Sequence, residues 1–87
     1  YLYWGSGFGP IRAQELTDDG LNFAPDSAPV TIFNPRNEAE SPYLRLIEGA
    51  WVLSHEGYYY LFFSGDNCCE PNPRYAVLVA RSREPLG

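Results

Sequence analysis

The sequence predicts an all-β protein built from short antiparallel strands. Aromatic residues make up 16% of the chain, and most of them are Tyr or Phe, which are common in strands. Short apolar runs alternate with clusters of Gly, Pro, Asn and Asp, which is typical of strands joined by turns. No segment has the length and period of a long amphipathic helix. We therefore expect the chain to fold as sheets.

The N-terminal part predicts three strands. Residues 1–6 are rich in aromatic side chains and end at small residues, and residues 11–16 alternate apolar and polar side chains like a half-buried strand. Residues 17–20 are a turn cluster, because Asp side chains bond to the nearby backbone and Gly closes the bend. Residues 30–33 are a short β-prone run, and residues 34–43 form a polar loop.

A hairpin is predicted over residues 46–66. Residues 51–53 are strand formers, and residues 58–63 are an unbroken aromatic and aliphatic run, which fits a strand buried on both faces. Residues 54–57 form the connecting turn, in which Gly57 is free to adopt a positive φ.

An internal repeat suggests how the strands are arranged. Residues 1–7 resemble residues 60–65, and each segment is followed by a loop and a further strand, over residues 11–16 and 75–81 respectively. The offset is about sixty residues, slightly longer than the ~40–50 of common propeller blades. Repeated four-stranded units at this spacing predict a β-propeller, with chance similarity between aromatic strands as the alternative. The chain would supply about one and a half to two blades, whose open edges require a larger body or several copies.

The composition excludes several classes of function. The chain has 87 residues, enough for one small domain, and a formal net charge of −5, with Arg as its basic residue type beside a single His. A nucleic acid would gain little from such a surface, so we expect no nucleic-acid partner. No apolar segment approaches the ~20 residues of a membrane span, so we expect no membrane partner. One His and one adjacent Cys pair lack metal-ligand spacing, so we expect neither a metal nor another cofactor.

The two cysteines, Cys68 and Cys69, are neighbours and cannot join distant parts of the chain. A bond between them closes a small strained ring, because their Cα atoms lie at most ~3.8 Å apart. Two free thiols in a loop, or links to another chain, are the alternatives that the sequence leaves open.

Glu48 is the candidate for chemistry. It has apolar residues before it and small residues after it, at the head of a predicted strand. A carboxyl facing a cleft in an apolar setting is suited to act as a general acid, because removal from water favours its proton-bearing form. The alternative is a solvated Glu at a junction between a loop and a strand.

Several other side chains have both a structural and a binding interpretation. Trp4 and Trp51 are expected in the core, but either could stack on a sugar ring. Arg74 and Arg81 could clamp a carboxylate or a sugar hydroxyl, or serve solubility alone. His55 is expected to be a solvated turn residue.

Five separated segments resemble the middle of glycoside hydrolase family 43. They are residues 1–6, 15–20, 48–49, 57–65 and 75–82, and their order and spacing agree with that family over nearly the whole chain. The sequence Ser-Gly-Asp-Asn-Cys-Cys, ending at Cys69, also looks like a loop found in one branch of the family.

The resemblance implies a five-bladed β-propeller with a sugar site at one end of its axis. Residues 1–45 would end one blade and residues 46–87 would form most of the next. The family hydrolyses arabinan, arabinoxylan or xylo-oligosaccharides with inversion, and Glu48 matches its general acid. Ala50 stands where Pro often follows the Glu-Gly pair, which we expect to adjust only the backbone.

The resemblance also implies what these 87 residues lack. The matching general base and the Asp that sets the pKa of the acid belong to segments outside them, so we expect the chain alone to be inactive. The expected substrate contacts are Trp4, Trp51, Arg81, Cys68 and Cys69, and the expected location is extracellular. A second hypothesis is a non-catalytic sugar-binding or self-assembling module, in which open sheet edges pair with other copies or with a complementing chain.

Overall fold

A computed structural model describes all 87 residues as two antiparallel sheets of three strands each. The first sheet has the order β1-β2-β3, with β1 Leu2–Trp4, β2 Ile11–Gln14 and β3 Val30–Phe33. The second sheet has the order β4-β5-β6, with β4 Ile47–His55, β5 Tyr58–Gly65 and β6 Ala76–Ser82. A single 3-10 turn, Pro42–Leu44, lies between the sheets in the chain. The all-β prediction is confirmed.

The first two strands, β1 and β2, are both shorter than predicted. β1 ends at Trp4 because Gly5 adopts a φ of +150°, and a side chain there would meet the Pro10 carbonyl 2.5 Å away. β2 ends at Gln14, and Leu16 makes only an isolated bridge to Phe23. The predicted run Val30–Phe33 is confirmed as β3.

The predicted turn at residues 17–20 is confirmed. The Gly20 amide donates to the Thr17 carbonyl at 2.8 Å. The Asp19 carboxylate accepts bonds from the Thr17 hydroxyl at 2.6 Å and from the Leu21 amide at 3.0 Å. These bonds, the Thr17 hydroxyl first, hold the pKa of Asp19 below its usual value.

The hairpin lies where the sequence predicts it, but its turn is two residues long rather than four. Glu56 and Gly57 have φ values of 47° and 76°, as a type I′ turn requires. His55 pairs with Tyr58, and Ser54 pairs with Tyr59, so both residues continue the strand. The type I′ turn prevails because its twist matches the twist of the flanking strands.

The core lies between the two sheets. Ile11 from the first sheet and Ile47, Leu61 and Phe63 from the second are buried together. Phe33 packs against Phe63 with a ring separation of 4.8 Å. Apolar residues at alternate positions of β4, β5 and β6 complete this layer, as the period of two in a strand requires.

The opposite face of the second sheet is apolar and largely exposed. We call this surface the outer apolar face and define it by Trp51, Leu53, Phe62, Val77 and Val79. Its exposed fractions reach 58% for Trp51 and 74% for Val77. The expectation that Trp51 is a core residue is therefore wrong. In the run 58–63, Leu61 and Phe63 are buried on the inner face, whereas Phe62 on the other face is only half-buried, because no third layer packs there.

Each sheet has three strands where the sequence predicts four-stranded blades. Residues 17–29 add no strand to the first sheet, because they hold the turn at Gly20 and the prolines Pro25 and Pro29. Beyond β6 the chain turns through Pro85, and the Gly87 amide donates to the Glu84 carbonyl. The edges β1, β3, β4 and β6 are left without a strand partner on one side.

Candidate active site at the junction of the two sheets

Glu48 lies where the two sheets meet. It follows Ile47, whose amide donates at 2.9 Å to the carbonyl of Gly7, in the connection between β1 and β2. The register of β4 against β5 shifts between Glu48 and Trp51, and Gly49 has a φ of 67° within that irregularity. A side chain at Gly49 would meet only open space and the Ser64 hydroxyl, so glycine is favoured there by its backbone angle. The backbone of β4 is thus irregular at Glu48 and Gly49, where the carboxylate lies.

Both oxygens of the Glu48 carboxylate accept hydrogen bonds from hydroxyl groups. The Tyr75 hydroxyl donates to Oε1 at 2.7 Å, and the Ser6 hydroxyl donates to Oε2 at 3.2 Å. Ser6 belongs to the connection between β1 and β2, whereas Tyr75 directly precedes β6. Each sheet therefore supplies one hydroxyl that orients the carboxylate.

The surroundings of Glu48 differ from the apolar setting that the sequence predicts. The side chain is half-buried, and its polar neighbours are Tyr75 and Ser6. The apolar residues beside it in the sequence do not surround its carboxylate; Ile47, for example, faces the core. A partly exposed carboxyl held by two hydroxyls can exchange a proton with a bound molecule.

A buried carboxylate, Asp66, lies at the same end of the second sheet. Its side chain is fully buried, it has a φ of 68°, and its amide donates to the Leu46 carbonyl at 2.8 Å. Arg45 Nη2 lies 3.5 Å from Oδ1, and Arg74 Nε lies 2.9 Å from Oδ2, although the Arg74 N–H is not directed along that line. No role is predicted for Asp66 from the sequence. Its position at the end of an apolar strand, with arginines in the two adjacent loops, is the signal that could have identified it.

The loop that follows Asp66 contains a disulfide between Cys68 and Cys69. Of the alternatives that the sequence left open, the structure has the vicinal bond. The Arg74 amide donates to the Asn67 carbonyl at 3.0 Å, which closes the neck of the loop, and the Cys69 amide donates to Asn67 Oδ1. An open polar cavity of about 580 Å³ lies beside this loop, lined by Arg45, Asn67, Glu70, Pro71, Asn72, Pro73 and Arg74.

The remaining predicted contacts do not all lie near Glu48. Trp4 precedes Ser6 by two residues, on the face of the first sheet opposite to that of Tyr3. Trp51 lies on the outer apolar face and stacks on Phe62 with a ring separation of 5.5 Å. Both tryptophans therefore lie on elements that lead to the Glu48 end of the sheets.

Arg81 is not brought near Glu48. It pairs with Tyr60, whereas Glu48 pairs with Ser64, which places them about 13 Å apart along β5. Its guanidinium lies 4.6 Å from the centre of the Tyr58 ring, on which Arg83 also packs. Arg81 thus takes part in a cation–π cluster beside the hairpin turn.

A second cavity of about 290 Å³ lies between the sheets at that far end, and Tyr3, Tyr59, Val52 and Ser82 are among its lining residues. The Tyr3 hydroxyl donates to the Pro85 carbonyl at 2.8 Å. Burial raises the pKa of Tyr3 above its usual value, and the nearby Tyr59 and Tyr1 phenols raise it further. This cavity is separate from the Glu48 end of the sheets.

Comparison with known proteins identifies the family of the chain. The sequence profile of Glycosyl hydrolases family 43 matches residues 1–87. The chain belongs to this family. A protein of Aspergillus flavus named "Probable arabinan endo-1,5-alpha-L-arabinosidase A" is 30% identical over 95 aligned positions, which cover 100% of this chain and 27% of the relative. A protein of Aspergillus fumigatus named "Probable arabinan endo-1,5-alpha-L-arabinosidase B" is 39% identical over 51 positions, or 49% of this chain and 14% of the relative.

The family 43 chain described here thus spans about a quarter of the length of the first of these relatives. No group of three or more His, Cys, Asp or Glu side chains is placed to hold a metal ion. None of its helical segments is long and apolar enough to cross a membrane.

Proposed function

We propose that this chain supplies the general acid, Glu48, of an inverting glycosidase that acts on arabinan, arabinoxylan or xylan-type bonds. The observation that carries the proposal is the Glu48 carboxylate at the junction of the sheets, with a hydroxyl donor on each oxygen. Family membership and the names of the Aspergillus relatives support the substrate class. In this role the Glu48 carboxyl transfers its proton to the glycosidic oxygen as the bond to the sugar breaks.

Inversion requires a second carboxylate that activates water on the opposite face of the sugar, ~6.5–9.5 Å from the acid. Asp66 lies at the same end of the sheet but is fully buried beneath two arginines, so a water molecule cannot reach it. Asp18 and Asp19 belong to the turn after β2. We therefore propose that the 87 residues alone do not hydrolyse glycosides and need further segments or chains that supply the base.

We propose that the substrate runs from Glu48 along the loop that carries Cys68 and Cys69. These cysteines are exposed, and the polar cavity beside them offers amide and guanidinium donors to sugar hydroxyls. Trp4 and Trp51 would stack on further sugar rings. Arg81 would be reached only by a polysaccharide that extends beyond the bond to be cleaved.

The complete body is proposed to be a five-bladed propeller of four-stranded blades. Residues 1–45 would end one blade and residues 46–87 would form most of the next; the segment between Phe33 and Ile47 contains that division. The exposed apolar face and the unpaired edges support the presence of neighbouring blades. The disulfide between Cys68 and Cys69 supports an extracellular location, because disulfides persist in oxidising compartments.

Glu48→Gln tests the acid directly. We expect no turnover by the 87-residue chain on aryl arabinofuranosides and xylosides. We expect turnover by the Aspergillus flavus relative when residues 1–87 replace its aligned segment, and a loss of about 10²–10⁴-fold in kcat/KM when Glu48→Gln is added. Glu56→Gln is the matched control, because Glu56 lies 84% exposed in the hairpin turn. Equal activity of the Glu48→Gln chimera and its parent would exclude Glu48 as the acid.

The outer apolar face supports a second candidate function, a sugar-binding or self-assembling module without catalysis. Four of its residues, Trp51, Leu53, Val77 and Val79, are more than a third exposed. A continuous apolar surface of this kind marks an interaction site. A second copy or a complementing chain that covers it would yield a stable assembly even if hydrolysis had been lost.

A further inference from the structure

We infer that Asp66 is a positioning residue for Glu48. It holds the segment that carries Glu48 and the segment that carries Tyr75 at a set separation, so that the Tyr75 hydroxyl meets the Glu48 carboxylate. The catalytic consequence of this arrangement rests on the proposed role of Glu48 as the acid.

Asp66 connects three parts of the second sheet at one point. It directly follows β5, and its amide donates to the carbonyl of Leu46, immediately before β4. Its carboxylate faces Arg45, in the segment that leads into β4, and Arg74, in the segment that leads into β6. We call these two stretches the lead-in segments. The Arg74 amide donates to the Asn67 carbonyl, and this bond closes the loop between β5 and β6.

These lead-in segments are the ones that hold the Glu48 site. Leu46 stands two residues before Glu48, and Arg74 directly precedes Tyr75. Tyr75 is 46% exposed and lies outside β6, so the strand ladder does not hold its side chain. The contacts of Arg74 with Asp66, Asn67 and Glu38 therefore restrain the chain on one side of Tyr75. On its other side, Ala76 pairs with Gly65.

Stability alone is a poor explanation for this cluster. Burying a carboxylate is costly, and apolar residues of similar volume often replace a buried ion pair without loss of stability. A buried carboxylate flanked by two guanidinium groups does, however, prescribe where each cation can lie. Glu38 also contacts Arg74, at 3.4 Å, but it is exposed and has no hydrogen bond or ion pair with the segment that leads into β4. It therefore provides a matched control for loss of a carboxylate beside Arg74.

The structural test is an NMR experiment on the 87-residue chain with labelled Glu and Tyr. We expect a nuclear Overhauser effect between the Glu48 methylene protons and the Tyr75 ring protons in the parent chain. It should be retained in Glu38→Gln and lost in Asp66→Asn. If Asp66→Asn does not fold, Arg74→Gln decides, because the Arg74 side chain is 46% exposed and its replacement leaves Asp66 in place. The inference would be overturned if the parent chain showed no such effect. It would also be overturned if the effect were undiminished in the folded Asp66 and Arg74 variants.

The catalytic test compares leaving groups in the Aspergillus flavus chimera. A dinitrophenyl leaving group departs without a proton, whereas an arabinose leaving group needs one from the acid. We expect Asp66→Asn to lower kcat/KM at least about tenfold more on arabino-oligosaccharides than on the dinitrophenyl glycoside, as Glu48→Gln should. Equal losses on both substrates would mean that Asp66 has a purely structural role. A lack of effect from Glu48→Gln would count against the proposed function, while the NMR experiment would still judge the positioning claim.

Discussion

At the scale of the residue, the proposed role of Glu48 depends on how its carboxylate is held. The neighbours of Glu48 in the sequence are apolar, yet its neighbours in space are the hydroxyls of Ser6 and Tyr75. A hydroxyl can donate to an ionised carboxylate and accept from a protonated one, so both states of Glu48 retain a partner. Such a pair of partners suits a group that must give up a proton and regain it.

Tyr3 provides a prediction on pH dependence. Because burial raises the pKa of Tyr3 in the folded chain, the unfolded chain ionises this phenol first as pH rises. The stability that Tyr3 contributes should be present below the ordinary tyrosine value of ~10 and should be lost above it. Absorbance at alkaline pH should show a phenol that ionises late in the folded chain, and Tyr3→Phe should remove it. A titration of Tyr3→Phe identical to that of the parent would contradict this assignment.

At the scale of the element, the hairpin between β4 and β5 shows how backbone angles select residues. The type I′ turn places a non-glycine residue, Glu56, at a φ of 47°. Residues other than Gly, Asn and Asp pay a conformational penalty there. The contact between His55 and Glu56 at 3.8 Å is exposed and contributes little. The turn is therefore a weak point in an otherwise well-paired hairpin.

We predict that Glu56→Asn raises the free energy of unfolding by about 0.5–1 kcal/mol, because Asn tolerates the left-handed region. Gly57→Ala should lower it by about 1 kcal/mol or more, since Gly57 has a φ of 76°. Thermal unfolding followed by circular dichroism measures both changes. A lower Tm for Glu56→Asn than for the parent would show that the turn does not limit stability.

At the scale of the whole molecule, the second sheet is covered on one side and bare on the other. Its inner face packs on the first sheet around Ile47, Leu61 and Phe63, and its outer apolar face meets solvent. Unpaired strand edges lie beside that face. Surfaces of both kinds favour association.

We therefore predict that the 87-residue chain associates with itself as its concentration rises, in sedimentation velocity measurements. Trp51→Glu combined with Val79→Lys should shift the chain toward the monomer, because both positions are 58% exposed on the outer apolar face. Leu21→Lys is the control, since Leu21 is 81% exposed on a turn of the first sheet. A monomer at every concentration would argue against assembly through this face.

The sequence alone determined the strand class, the site of the hairpin, the turn at residues 17–20 and the family. These follow from local signals: aromatic runs, turn residues at fixed offsets and short motifs in order. The sequence also shows that Cys68 and Cys69 are adjacent, but it does not determine that they are bonded, as they are in the structure. The choice of Glu48 as the acid came from motif resemblance and stays a prediction.

The surroundings of each of these residues depend on the tertiary structure. Ser6 and Tyr75 reach Glu48 from positions 42 and 27 residues away in the chain. Arg45 and Arg74 meet Asp66 because the segment before β4 and the loop between β5 and β6 lie at the same end of the sheet. Trp51 lies outside the core because the register shift at Gly49 and the pairing with Phe62 set its face. Local sequence cannot specify such contacts, since they depend on which strands pair and in which register.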